Sequence, residues 1–158
     1  MKIQEKQLVS RSLRKLRRNP DIAACREVPI LGRSADIAYF QNGLVYSIEF
    51  KLKDWKRALL QARDHLLGAD YSYICMPKRS LSDEMTSRFR ESGIGLFFFA
   101  EQDDWPFEEI LKPVRSRETS ETARRWTLDY IQQNCIASVG NGQILEKCYS
   151  IVDIFERD

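Results

Sequence analysis

Residues 48–51 read Ile48-Glu49-Phe50-Lys51, a carboxylate and an ammonium two positions apart in an otherwise apolar, strand-like run. In an extended chain such residues point to the same side. Upstream, Asp36 lies in a second run of this kind, and Gln41-Asn42-Gly43 separates the two. Asn-Gly between strand-like segments signals a tight hairpin, because both loop residues must take positive φ. With Asn42 and Gly43 as the loop, Gln41 faces Leu44, and each later pair has indices summing to 85. Asp36 then falls opposite Glu49. Two carboxylates so opposed have Cβ atoms about 4.5–5.5 Å apart and repel each other. A cation between them relieves this. Lys51 is the nearest built-in one, and a divalent metal is the other.

The elements that must position these groups follow from periodicity. Leu44, Tyr46, Ile48, Phe50 and Leu52 share one face of the hairpin, which is wholly apolar and must be packed. Val45, Ser47, Glu49 and Lys51 share the other. Asp54 is a natural N-cap for a helix over 55–67, with Trp55, Ala58, Leu59, Ala62 and Leu66 inward and Gly68 after it. Gln61 and His65 are neighbours at the edge of that stripe. A helix is predicted over 2–18 from Val9, Leu13 and Leu16, and it carries Glu5 beside its inward stripe. A short strand follows over 23–31, weakened by Pro29. Strands are predicted over 70–77 and 94–100, with a helix between them over 82–91. The order of helix, strand, hairpin, helix, strand, helix, strand predicts a mixed α/β sheet flanked by helices. Residues 103–113 read as a loop and a short helix. Residues 120–134 read as a helix with Ala123, Trp126 and Tyr130 on one side, and 143–155 as another, capping the sheet or forming a dimer surface.

Length and composition set the frame. The 158 residues suit one domain, and 43% hydrophobic content is enough for a real core. The expected division is a core over 1–100 and a C-terminal helical extension over 101–158. The polar beginning MKIQEKQLVS is not a secretion signal, and no apolar run approaches a membrane span, so the expected place is the cytoplasm. Cys25, Cys75, Cys135 and Cys148 form no close pair, and His65 is near none of them, so zinc is not expected. Residues 1–70 hold 14 Lys/Arg against 8 Asp/Glu, whereas 71–158 hold 11 against 15. The basic half, densest at RSLRKLRR (11–18), offers a phosphate-binding surface through Arg11, Arg14, Lys15 and Arg18. Lys53, Lys56 and Arg57 follow Lys51 closely and extend it.

Asp36 in GRSADIAYF, Glu49 and Lys51 in IEFK, and Gln61 in RALLQARDH together resemble the PD-(D/E)xK nuclease superfamily, the restriction-endonuclease-like proteins. The resemblance covers roughly residues 1–77, including the αβββαβ order of that core. It implies a metal-dependent nuclease cutting DNA, RNA not being excluded, with Asp36, Glu49, Lys51 and Gln61 as catalytic residues. It implies Mg²⁺, replaceable by Mn²⁺, held by Asp36, Glu49 and the backbone carbonyl of Phe50, with Glu5 as a further ligand. The residues themselves agree. Opposed carboxylates suit a hard cation that keeps several waters. Such a cation lowers the pKa of bound water and polarises a phosphoryl oxygen. The sequence departs from the pattern in two places. SAD stands where the family name has PD, and His65 stands where one branch carries Tyr in Gln-x-x-x-Tyr.

Each group has a plainer reading beside this one. Glu49 and Lys51 can be a solvated edge, Asp36 a surface residue near a turn, Gln61 a satisfied polar group bordering the core, and His65 a structural or exposed residue. Trp55 and Trp126 read as core. The rival function is a non-catalytic nucleic-acid-binding or assembly module on the same fold. A homodimer is expected for the enzyme, since cutting both strands of a duplex calls for two sites.

Overall fold

The computed structural model describes residues 4–137. It is a mixed α/β fold whose elements run α1 (Glu5–Arg18), β1 (Ala23–Ile30), β2 (Arg33–Gln41), β3 (Leu44–Phe50), α2 (Trp55–His65), β4 (Tyr71–Met76), α3 (Asp83–Ser92), β5 (Gly95–Phe99), β6 (Phe107–Leu111) and α4 (Glu121–Ala137). The six strands lie in sequence order. β3, β4 and β5 are parallel neighbours joined through α2 and α3, and the remaining pairs are antiparallel. Among the described residues no helix is long and apolar enough to cross a membrane.

The sheet separates two cores. Leu8, Val9, Leu13 and Leu16 of α1 pack on Ile37, Tyr39, Ile48, Phe50, Tyr73 and Phe97. On the opposite face Ala58, Leu59 and Ala62 of α2 meet Ile74, Met76, Leu96 and Phe98, together with Met85 and Phe89 of α3. α4 covers Cys25, Val28, Ala38 and Val45 through Leu128 and Ile131. Asp54 caps α2 by accepting from the Arg57 N–H at 3.1 Å, and Ser82 caps α3 in the same way from Met85.

The β2–β3 hairpin turns at Asn42 (φ 52°) and Gly43 (φ 81°), and Gln41 pairs with Leu44 through to Ile37 with Ile48, the expected register. A second tight turn joins β1 and β2 at Leu31 (φ 48°) and Gly32 (φ 83°). Pro29 is tolerated because β1 is the edge of the sheet, where a missing N–H costs no ladder bond.

Two expectations are corrected. Residues 107–111 are not helical; they form β6, antiparallel to β5. Glu108, Glu109 and Leu111 favour a helix intrinsically, but propensity is a weak preference that tertiary context overrides, and the open edge of β5 supplies a ladder that outweighs it. Trp126 is not core but 60% exposed. α4 approaches the end of α2 so closely that a Cβ on Gly68 would lie 2.8 Å from Thr127 Oγ1 and from Ile30. Only small or slender side chains fit there, so Ala123, Thr127, Leu128 and Ile131 turn inward and Trp126 outward. The helix expected over 143–155 lies outside the described residues.

α4 is also tied to the hairpin turn. Asp70, buried at the start of β4, accepts from the Val45 N–H at 2.7 Å and from Arg124 at 3.1 Å, while Arg124 donates to the Gly43 carbonyl at 2.7 Å. A buried carboxylate persists only when paired and hydrogen-bonded in this way. The pairing holds the hairpin turn, and with it the β2–β3 register, against the rest of the fold.

Candidate active site

The ladder between β2 and β3 ends at Ile37 and Ile48. Beyond it the strands fork, and β3 stays with β4: Glu49 pairs with Ile74, and the Lys51 N–H donates to the Cys75 carbonyl at 3.1 Å. Asp36 fills the fork. Its Oδ2 accepts from the Phe50 N–H at 2.8 Å, so a side chain replaces the lost backbone partner. Glu49 projects into the same fork from β3, close enough to Asp36 for the two carboxyl groups to share a proton. It is only 6% exposed, and its Oε2 has no hydrogen-bond partner.

Burial is the main cause of the electrostatics here. It raises the pKa of Glu49, with the Asp36 charge adding to it and Lys51 opposing, to about 8. Asp36 is raised too, again chiefly by burial, with the Phe50 N–H pulling the other way. Near neutral pH burial and mutual repulsion therefore favour one proton held by the pair. Glu5 reaches the same neighbourhood from α1, where its charge is felt by both carboxyls and its Oε1 accepts from the Leu52 N–H at 3.3 Å.

Asp36, Glu49, Lys51 and Glu5 are thus brought together by three different elements. Gln61 lies on α2 between the inward Ala58 and Ala62, and its buried Oε1 has no partner. His65 follows one turn later and is 1% exposed, so it does not reach the surface. Neither ring nitrogen makes a well-formed hydrogen bond. Burial lowers its pKa to about 4, although Asp64 and the Ser34 backbone favour the charged form. Four of the five buried side-chain polar atoms that lack a partner among the described residues belong to Glu49, Gln61 and His65. Buried polar groups are usually satisfied, so the Glu49 Oε2 is open to a further partner.

The basic residues divide. Arg14 and Arg18 on α1 and Lys53 and Arg57 near α2 are exposed. Lys56 pairs with Glu84 at 3.1 Å and lies over the Trp55 ring. Arg11 pairs with Glu101 at 2.6 Å, and Lys15 donates to the carbonyls of Ala100 (3.2 Å), Glu101 and Asp103 (2.8 Å). These two hold the loop between β5 and β6. That role was hidden from the sequence, because it joins residues some ninety positions apart.

No protein-family model and no curated protein matches this sequence. Two solved structures are similar in fold. One is a protein of unknown function from Silicibacter pomeroyi, with a TM-score of 0.61 at 17% identity over 90% of this chain and 98% of that one. The other is an XisH family protein from Nostoc punctiforme, with a TM-score of 0.48 at 16% identity over 67% of this chain and 98% of that one. At these identities the first likeness concerns the fold alone.

Proposed function

We propose that this chain is a metal-dependent nuclease of the PD-(D/E)xK kind that hydrolyses phosphodiester bonds in DNA. The observation that carries the reading is the fork: two buried carboxyls face each other where β2 and β3 part, with Lys51 and Glu5 beside them and Glu49 Oε2 unpartnered. An all-oxygen donor set fits Mg²⁺ or Mn²⁺, and an orphaned buried carboxylate oxygen is what such an ion would satisfy. Asp36, Glu49 and the Phe50 carbonyl would hold it, with the Glu5 charge adding to the negative potential from α1. When bound, it supplies an acidified water and a polarised phosphoryl oxygen. Lys51 orients the attacking water and offsets charge on the phosphate. Gln61 lends a hydrogen bond from α2. The exposed cations of α1 and of residues 53–57 give affinity that does not depend on sequence. The cytoplasm and a homodimer complete the proposal.

One observation favours a non-catalytic nucleic-acid-binding module instead. Among the described residues no three His, Cys, Asp or Glu side chains come together as a ready-made metal cage. Incubation with supercoiled plasmid separates the two readings. The nuclease nicks or linearises it with Mg²⁺ and leaves it intact in EDTA. A plasmid retarded on a gel but uncut under Mg²⁺ and Mn²⁺ alike rules the enzyme out.

A further inference from the structure

A second feature lies away from the carboxyls. A cavity of about 580 Å³ opens between the C-terminal end of α1 and the 100–106 loop, lined chiefly by Lys15, Arg18, Asn19, Pro20, Asp104 and Trp105. That volume is in the range of small-ligand sites. Its wall is fixed in place, since Lys15 holds three loop carbonyls and Arg11 holds Glu101.

The aromatic cluster next to the cavity shows which ring is left to bind, since Trp105 alone of these rings lines it. Tyr73 stacks on Phe97 at 3.8 Å, Phe97 on Phe107 at 4.6 Å, and Tyr39 on Tyr46 at 4.7 Å, so these rings cover one another. Trp105 stands at 79° to Tyr39 and at 87° to Phe97 and Phe107, outside that parallel stack, and is 36% exposed. An indole, an exposed guanidinium and a carboxylate acceptor around one cavity suit a planar base with an anionic phosphate. Asp104 can accept from a base N–H, while Arg18 takes the phosphate.

We propose that this cavity holds one unpaired nucleotide of a nucleic-acid strand, its base against Trp105 and its phosphate at Arg18. A base within a duplex is already stacked on both faces, so a base that is to lie against Trp105 must be unpaired. The placement has a consequence that rests on the nuclease reading. Glu5, beside the carboxyl fork, and Arg18 lie at opposite ends of the 14-residue α1. At ~1.5 Å rise per residue they are about 20 Å apart, which is roughly six base-pair steps of ~3.4 Å. The substrate would therefore carry its unpaired segment on the order of 20 Å from the bond to be cut, at the other end of α1.

Binding can be tested without catalysis, by fluorescence anisotropy in EDTA. The probes are a labelled single strand of roughly ten nucleotides and a blunt duplex of the same sequence. Trp105→Ala should weaken single-strand binding about 5- to 100-fold, the range expected for losing one base stack. Trp105→Phe should weaken it less, Arg18→Ala should also weaken it, and Trp126→Ala should match the wild type. Blunt-duplex binding should change little in the Trp105 and Trp126 variants, whereas Arg18→Ala, which removes a general phosphate contact, should weaken both probes. Wild-type single-strand affinity in Trp105→Ala overturns the proposal, as does competition by a mononucleotide with no strand binding at all. If Trp105→Ala does not fold, Trp105→Phe and Arg18→Ala decide on the same criterion. Trp105-dependent binding with no cleavage under any metal would sink the nuclease reading while leaving the cavity assignment standing.

Discussion

Lys51→Ala is expected to cut plasmid about 10²–10³-fold more slowly than the wild type with Mg²⁺ while still binding the ion. A preorganised donor aimed at developing charge typically contributes that much. Lys51 lies where β3 leaves β2, its backbone fixed by the Cys75 carbonyl, so its ammonium is held near the Asp36–Glu49 pair. The substitution removes a cation whose charge is felt by both carboxyls, and a stronger metal affinity is therefore the expected companion of the lost rate. Titration with Mn²⁺ followed by electron paramagnetic resonance reads the first quantity, and gel densitometry the second. A variant that loses both together would make Lys51 a fold-stabilising cation, not a catalytic one.

The second large effect is on stability. Glu49 has a pKa of about 8 in the fold against an ordinary 4.5. From pH 4.5 to 8 the folded chain keeps a proton that the unfolded chain gives up, so stability falls as pH rises through that window. His65 slopes the other way. Its folded pKa of about 4 against 6.5 means that stability rises with pH from 4 to 6.5 and is complete above that. The two oppose each other at mildly acidic pH, and above 6.5 the carboxyl limb stands alone. Glu49→Gln should therefore stabilise the metal-free protein near pH 8, by a few kcal/mol to order of magnitude. It should also flatten the limb between 6.5 and 8. Urea unfolding at several pH values measures this. Parallel curves for variant and wild type would mean that Glu49 is ionised and solvated in the fold. Adding Mg²⁺ should restore wild-type stability at high pH and do little for the variant.

The hairpin was legible because its chemistry is local. Asn42-Gly43 admits one kind of turn, and the turn sets the register down to Ile37 and Ile48, just beyond which Asp36 and Glu49 meet in the fork. Capping by Asp54, the two crossover helices and the buried strands could be read in the same way. What could not be read depends on distant partners. Leu31 takes positive φ, a conformation that a leucine in sequence does not announce. β6 forms because β5 would otherwise present an open edge. Trp126 turns outward because Gly68 and Ile30 crowd the inner side of α4. At the site, the pairing of carboxyls was visible, but the burial of His65 and the spending of Lys15 on loop carbonyls were not. A histidine on the edge of a helical stripe looks the same whether it faces solvent or core.

The most direct measurement is anomalous diffraction from a crystal soaked in Mn²⁺. A peak is expected between the Asp36 and Glu49 carboxyls, absent when the same soak is made with Asp36→Asn. A fully ordered fork that stays empty at saturating Mn²⁺, with Lys51 alone bridging the two acids, would contradict it.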